Sequence, residues 1–253
     1  MIKQEKAYIY GRHAVMEALE NTPEIIEKLY LDLDPDRELS SLIMRNNIRM
    51  ERFDSRFLPA DVEREANHQG YIGLVTIKRL VKSYGDFING LTVTPDTVLV
   101  VLGELQDPQN VGAVIRTAAA FGVAGVLIPE HKQAQVTGSV IKVSAGMAFR
   151  VPLVSIGNVN TTLLDLKERG FWTYGLDAEA KQSLVTEKFD APTVFVLGNE
   201  SQGIRVKTLE TCDIPLYIPM NPQCESMNVA ASAAVALYAW STKHPKALKA
   251  KKA

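Results

Sequence analysis

Short apolar runs alternate along the chain with stretches in which apolar residues recur every three or four positions. The first pattern is typical of buried strands, and the second is typical of helices that pack one face against a sheet. In the first third of the chain, this predicts helices at 11–21, 38–47 and 59–67 and strands at 26–34, 48–54 and 70–78. The pattern therefore predicts a small α/β unit that spans residues 1–80.

A second series of the same kind begins at Thr97. It predicts strands at 97–105, 125–129, 151–156, 171–177, 193–199 and 213–219. The first predicted helix of this series begins at Asn110, and the others lie at 135–148, 158–170, 205–212 and 227–243. Continuously apolar strands that alternate with helices favour a parallel sheet covered on both faces. We expect this second domain at 96–243, a linker with about one helical turn at 81–95, and a basic tail at 244–253.

Composition limits the class of protein. The chain has 253 residues, of which 46% are hydrophobic and 23% charged, as in soluble globular proteins. Its apolar runs are far shorter than the roughly 18 residues of a membrane span, and "MIKQEKAYIYGRH" is too polar for a signal peptide. We therefore expect a cytoplasmic protein without a membrane partner. Cys212, Cys224 and the scattered histidines show neither disulfide nor metal spacing, so no metal is expected.

Charge is distributed unevenly although the net charge is only −1. Residues 1–90 carry a net charge of −2, residues 91–242 carry −4, and the tail "KHPKALKAKKA" (243–253) carries +5. A nucleic-acid partner would have to be held by local basic patches and by this tail. A solvated, disordered end is the alternative interpretation of the tail.

The ends of three predicted strands carry the candidate chemistry. Open parallel sheets bind ligands at the carboxyl ends of their strands. Asn110 and Arg116 follow one strand, Glu200 follows another, and Ser226 and Asn228 follow a third. Polar groups beside apolar runs need partners when they are buried. Arg116, in the middle of an apolar helix, is either a structural arginine paired with a buried carboxylate or a functional guanidinium.

Several familiar sites are excluded by the same segments. The sequence has neither G-x-G-x-x-G after a strand nor G-x-x-x-x-G-K-[ST], which disfavours a Rossmann dinucleotide site and a P-loop. "GNESQG" is superficially similar to a nucleophile elbow, but Asn199 stands where the G-x-S-x-G motif needs glycine.

Taken together, the three strand ends resemble motifs 1, 2 and 3 of the SpoU/TrmH-type 2′-O-ribose RNA methyltransferases of the SPOUT superfamily. The matching segments are "DPQNVGAVIRTAAAFG" (107–122), "FVLGNESQGI" (195–204) and "IPMNPQCESMNVAASAAVALY" (218–238). "YGRHAVMEAL" (10–19) and "NHQGYIGLV" (67–75) resemble the L30e-like N-terminal domain of members that modify 23S ribosomal RNA. Two positions depart from the family pattern, because Ser201 and Pro222 stand where glycine is usual.

The resemblance implies S-adenosylmethionine as cofactor and a parallel-sheet catalytic domain whose C-terminal part forms a deep trefoil knot. It implies a homodimer joined through the knot region, and a guanosine of 23S ribosomal RNA as the target. A tRNA ribose 2′-O-methyltransferase and a catalytically silent RNA-binding or assembly protein on the same fold are the alternatives. The intact Asn110, Arg116, Glu200 and Asn228 disfavour the silent protein, which has no chemical need for them.

Residue roles follow from the same resemblance. The implied catalytic set is Arg116, Asn110, Glu200, Ser226 and Asn228. The implied cofactor-binding set is Leu197, Gly198, Asn199, Gly203, Ile218, Met220, Met227 and Asn228. A guanidinium with a pKa above about 12 is a poor base, so Arg116 is expected to stabilise negative charge or to clamp a phosphate. The predicted RNA contacts of the first domain are Arg12, Arg45, Arg49, Lys78 and Arg79.

Overall fold

The computed structural model describes residues 6–54 and 68–248, so the predicted helix at 59–67 lies outside the described residues. A four-stranded sheet comes first, in the order β1-β4-β2-β3. Its strands are β1 Lys6–Tyr10, β2 Ile26–Leu31, β3 Met50–Arg52 and β4 Tyr71–Thr76, and its helices are α1 Arg12–Asn21 and α2 Arg37–Arg45. Strand β4 pairs antiparallel with β1 and β2, whereas β3 runs parallel to β2.

The second sheet has eight strands in the order β10-β12-β9-β11-β6-β7-β8-β5. Every neighbouring pair is parallel, which confirms the predicted sheet type. Its strands are β5 Val81–Ser83, β6 Val98–Leu102, β7 Gly125–Pro129, β8 Leu153–Ile156, β9 Trp172–Leu176, β10 Gln182–Ser183, β11 Thr193–Leu197 and β12 Ile214–Tyr217. The helices are α3 Ile77–Leu80, α4 Tyr84–Gly90, α5 Pro108–Ala120, α6 Gly138–Val143, α7 Val159–Glu168, α8 Val206–Thr211 and α9 Val229–Lys243.

Helices cover both faces of this sheet, as the continuous apolar strands predict. Alternate residues of β6 divide between two buried clusters. Val98 and Val100 belong to the cluster that also contains side chains of α5 and α9. Leu99 and Val101 belong to the cluster that contains side chains of α4 and α7.

The segment expected to be a linker differs from that prediction. Residues 81–83 form β5, which pairs with β8 at the edge of the large sheet, and α4 follows at once. Phe87 of α4 is buried and fits against Gly125, where an added Cβ would lie only 2.5 Å from the Phe87 ring. Phe87 and Ile88 are the buried residues of α4, and two neighbouring positions are too few to leave a periodic signal in the sequence. Residues 91–95 alone keep the character of a loop.

The start of the predicted basic tail is anchored. The His244 side chain is buried at the end of α9, with Nδ1 2.8 Å from Asp96 Oδ1 and Nε2 3.0 Å from the Phe189 carbonyl oxygen. Its ring stacks on Trp240 at a centroid distance of 4.5 Å. The tail residues after 248 lie outside the described residues. Within the described chain, no helix is long and apolar enough to cross a membrane.

Candidate active site

A cavity of about 400 Å³ opens at the carboxyl ends of β9, β11 and β12. It is bounded by the loops that follow these strands and by the N-terminal ends of α5 and α9. All eight residues predicted to bind the cofactor line it, from Leu197 to Asn228. Asn110, Glu200 and Ser226 of the predicted catalytic set line it too, whereas Arg116 does not. The fold thus brings three distant segments of the sequence to one site.

The loop after β11 depends on glycine. Asn199 and Gly203 exchange backbone hydrogen bonds of 2.9 and 3.0 Å, which closes a tight turn. A Cβ on Gly198 would lie 2.5 Å from the Gly203 carbonyl carbon, and Gly203 itself has a φ of 64°. Both positions therefore require glycine.

The two departures from the family pattern do not disturb these loops. Neither Ser201 nor Pro222 has a positive φ. The Ser201 backbone N–H donates to the Asn199 side-chain oxygen at 2.9 Å, so the turn itself holds the serine in place. A side chain at either position is compatible with the loop backbone, and a glycine is not needed there.

Glu200 is a helix anchor. Its carboxylate accepts the backbone N–H of Gln106, at 3.1 and 3.2 Å to its two oxygens, and of Asp107 at 3.1 Å. It also accepts the Asn110 side-chain amide at 3.1 Å. Burial alone would raise the pKa of Glu200, but these hydrogen bonds outweigh it and hold the pKa below its usual value. The residue is therefore an anion near neutral pH that fixes the start of α5.

Asn110 and Asn228 continue this connection. The Asn228 side-chain amide donates to Asn110 Oδ1 at 2.9 Å. The Asn228 side-chain oxygen in turn accepts the backbone N–H groups of Ala230 and Ala231, at 2.9 and 3.2 Å, and so caps α9. We call Glu200, Asn110 and Asn228 the amide relay. It joins the first turns of α5 and α9 to the loop after β11.

Arg116 lies on the exposed side of α5. Its side chain makes no hydrogen bond or ion pair with any residue of the described ranges 6–54 and 68–248, which disfavours the structural-arginine interpretation. A guanidinium that the described residues leave unpaired remains available to an anionic ligand. The exposed face of α5 also carries the small residues Ala113 and Ala120.

The predicted RNA contacts fall into two environments. Arg12 is paired with Asp36 at 2.7 Å and with Glu38 at 2.9 Å. Arg49 pairs with Glu51 at 3.0 Å, and Arg79 donates to the Glu24 carbonyl oxygen at 3.1 Å. Two other predicted contacts, Arg45 and Lys78, are exposed and make no ion pair with a described residue.

The first domain does not bring all of these cations together. Arg12 lies beside Asp36, which caps the N-terminal end of α2, whereas Arg45 is the last residue of that helix. The two arginines are therefore at opposite ends of α2. Arg12 is also the one whose charge two carboxylates offset, so its environment suits an RNA phosphate least.

One charged residue of the cavity was missed by the sequence prediction. Asp177 directly follows β9 and lines the cavity beside Leu176 and Leu216. Its carboxylate makes no hydrogen bond or ion pair with a residue in the described part of the chain. The available signal was its place at a strand end, the same criterion that identified Glu200. Among the described residues, no group of three or more His, Cys, Asp or Glu side chains is placed to hold a metal ion.

Comparison with known proteins agrees with this geometry. Residues 97–238 match the SpoU rRNA Methylase family, and residues 8–81 match the RNA 2′-O ribose methyltransferase substrate-binding domain. The 23S rRNA (guanosine-2′-O-)-methyltransferase RlmB of Nitrosomonas europaea is 35% identical over 91% of this chain and 89% of its own. RlmB of Neisseria meningitidis serogroup B is 36% identical over 90% of this chain and 92% of its own.

A solved structure shares the fold. The SpoU methyltransferase AviRb of Streptomyces viridochromogenes, crystallised in complex with AdoMet, aligns with a TM-score of 0.80. It is 19% identical and covers 96% of this chain and 92% of its own. The chain belongs to the SpoU rRNA methylase family. It is an enzyme, an RNA 2′-O-ribose methyltransferase, as its motifs predict.

Proposed function

We propose that the protein transfers a methyl group from S-adenosylmethionine to the ribose 2′-hydroxyl of a guanosine in 23S ribosomal RNA. The observation that carries this proposal is the amide relay, which gathers all three methyltransferase motifs around one cavity. The guanosine and the 23S RNA are supported by the relatives that match about nine tenths of the chain. Such a substrate suits a cytoplasmic protein.

The cavity fits the cofactor. Its volume of about 400 Å³ lies within the range of small-molecule sites, roughly 300–1,000 Å³. Leu197, Leu216 and Ile218 give it apolar walls, and Gly198 lets its own loop fold closely onto Gly203 at the edge of these walls. Asp177 adds a carboxylate, which suits a positively charged ligand. When bound there, S-adenosylmethionine supplies a methyl group activated by its positively charged sulfur.

The residues of this chain then have separable roles. Glu200, Asn110 and Asn228 hold the loops of the cavity and start α5 and α9 in fixed positions. The Arg116 guanidinium is a donor and not a base, so it stabilises negative charge on the ribose oxygen or clamps a neighbouring phosphate, and the hydroxyl proton leaves to phosphate or water. Ser226, at the edge of the cavity, is placed to hold the RNA backbone or the cofactor.

The trefoil knot is part of the proposal. Strand β9 lies between β11 and β12, so the chain must cross over β9 as it passes from the second motif to the third. Both motifs nevertheless line the same cavity. This crossover supports a knot formed by the segment 193–243.

The proposal also includes a homodimer, in which two copies of the chain meet through the knot region. Helices α5 and α9 pack against each other and expose small and apolar residues. Ala120 and Ala231 are exposed, and so is Tyr238, with 62% of its surface accessible beside Phe121. An exposed apolar surface of this kind is typical of an interface. A second copy of the chain on this surface would approach the unpaired Arg116.

Mapping ribose methylation in RNA from cells with and without the gene tests the proposal. We expect one guanosine of 23S ribosomal RNA to lose its 2′-O-methyl group without the gene. The wild-type gene should restore it, and a gene that encodes Arg116→Ala should not. A methyl group in tRNA that depends on the gene would show that the protein is a tRNA methyltransferase instead. A methylation map that is the same with and without the gene would favour the catalytically silent RNA-binding protein.

A further inference from the structure

The N-terminal unit packs directly on the second sheet unit. One continuous cluster of buried apolar side chains contains Ala7 and Val15 of the first unit and Ile141 and Ala148 of the second. A Cβ on Gly138 would lie 2.8 Å from the Tyr8 carbonyl oxygen, so only glycine permits this approach. The contact between the two units is therefore a packed surface.

A buried carboxylate lies within this surface. The Glu17 side chain, on α1, is only 5% exposed. It accepts hydrogen bonds from Arg150 Nε at 2.5 Å and from Arg150 Nη2 at 2.7 Å, and a third from the Asn21 amide at 3.2 Å. Gly146 makes room for it, because an added Cβ there would lie 3.2 Å from Glu17 Cγ. A buried carboxylate needs such partners, and no other arginine contacts it in the described chain.

The geometry of the pair fixes an orientation. Apolar surfaces alone tolerate small rotations, because the hydrophobic effect has no direction. A two-pronged contact between a planar guanidinium and a carboxylate is directional. Glu17 and Arg150 come from different units, so their contact sets the rotation of one unit against the other.

This contact is connected to the active site. Arg150 follows α6 and a short 3₁₀ turn at Met147–Phe149, and both pack on α5. The packing of α6 on α5 is close, since a Cβ on Gly112 would lie 2.6 Å from Val143 Cβ. Helix α5 carries Asn110 and Arg116. The N-terminal unit is thus braced against the helix that carries the first motif.

We propose that Glu17 and Arg150 are positioning residues that hold the N-terminal unit at one orientation to α5, and that this orientation selects which ribose reaches the cavity. The inference rests on the proposed function, because it assumes that the N-terminal unit contacts the RNA. Phosphate contacts by that unit carry no sequence information, so target choice depends on where the unit holds the RNA. When the orientation of the unit is fixed, its phosphate contacts hold the RNA so that one particular ribose lies at the cavity.

Reversal and exchange of the charges test this in the full-length enzyme. Arg150→Glu should raise the KM for a ribosomal RNA fragment about tenfold while kcat and the Kd for S-adenosylmethionine stay within about twofold. The double variant Glu17→Arg with Arg150→Glu should recover most of the loss. Arg150→Lys, which keeps the charge but loses the planar fork, should have a KM between those of Arg150→Glu and the double variant. Arg169→Glu is the matched control, because Arg169 directly follows α7 and pairs with Asp165 of that helix, within one unit.

A distance measurement separates this inference from the proposed function. Spin labels at Met44→Cys and Val206→Cys, both at exposed positions of different units, report the orientation without RNA. Cys224→Ser removes the exposed native thiol, and Cys212 is buried. We expect a narrow distance distribution that Arg150→Glu broadens and the double variant narrows again.

Each outcome of the two experiments decides a separate question. A distribution that Arg150→Glu leaves unchanged would overturn the inference, as would an unchanged KM. A double variant that stays folded and binds S-adenosylmethionine but regains no RNA affinity would overturn it too. If the wild-type enzyme methylates no ribosomal RNA, the proposed function fails, and the distances alone decide whether the pair orients the units.

Discussion

Asn228 donates its side-chain amide to the side-chain oxygen of Asn110, 118 residues earlier in the chain, at 2.9 Å. Through this one hydrogen bond, the cap of α9 is joined to the first turn of α5. Glu200 holds the other side of Asn110 at 3.1 Å. A change at Asn110 therefore reaches both helices and the loop after β11.

Asn110→Ala should destabilise the protein by about 1–2 kcal/mol, because it leaves the Asn228 amide without its partner and removes one of the hydrogen bonds that Glu200 accepts. Asn110→Asp should be worse than alanine, since it brings a second carboxylate within hydrogen-bonding distance of Glu200. Denaturant unfolding and calorimetry with S-adenosylmethionine measure the two effects. Gln109→Ala, at the exposed neighbouring position, is the control. Equal stability of the alanine and aspartate variants would argue against the relay.

Glu200 predicts a specific pH dependence. Its folded pKa lies below the ordinary value of 4.5, so its contribution to stability is complete above that pH and is lost as the pH falls through the folded pKa. Glu200→Gln should remove this acid-dependent part and lower stability at neutral pH, where the wild type has the ionised side chain. Thermal unfolding from about pH 3 to pH 7 measures it. If the stability of the wild type and that of the glutamine variant change in parallel with pH, Glu200 does not have the anchoring role.

Arg116→Ala should abolish methyl transfer and leave the affinity for S-adenosylmethionine within about twofold, because Arg116 lies outside the cavity. Arg116→Lys should retain a small part of the activity, since it keeps the charge and loses the planar fork. A transfer assay at saturating cofactor and calorimetry measure the two quantities. A large loss of cofactor affinity with residual turnover would show that this assignment is wrong.

Asp177→Asn should weaken S-adenosylmethionine binding about three- to tenfold, because the unpaired carboxylate faces a site for a positively charged ligand. The same variant should weaken the binding of S-adenosylhomocysteine less, because this ligand lacks the sulfonium charge. Calorimetry with both ligands measures the difference. Glu179→Gln, two residues further along and exposed, controls for net charge. The same loss in both variants would indicate a general effect of charge.

Arg45→Ala and Lys78→Ala should each weaken RNA binding and make its salt dependence shallower. Each lost phosphate contact lowers the log–log slope by about 0.7–0.9. Arg12→Ala should change the slope least, because Asp36 and Glu38 already offset the Arg12 charge. Filter binding across a salt series measures the slopes. A larger change for Arg12 than for Arg45 would place the RNA at the opposite end of α2.

The sequence predicts the parallel sheet and the polar residues at its strand ends because both leave local signals. Apolar strands and polar residues at their ends can be found from spacing alone. The tertiary contacts leave no such signal. The anchoring role of Glu200 depends on backbone groups about 90 residues away, and the pairing of Arg12 depends on a helix cap in another element. The short strands β1 and β5 were missed because each carries too few alternating residues to stand out.

The position of β11 has a consequence for how the chain acquires its structure. Strand β11 is inserted between β6 and β9, and it starts at Thr193. The large sheet therefore stays divided until more than three quarters of the chain has emerged during synthesis, whereas the small sheet can close once Thr76 is available. Pairing between such distant segments slows folding. We expect the N-terminal unit to form first and to present a structured surface on which the catalytic sheet assembles.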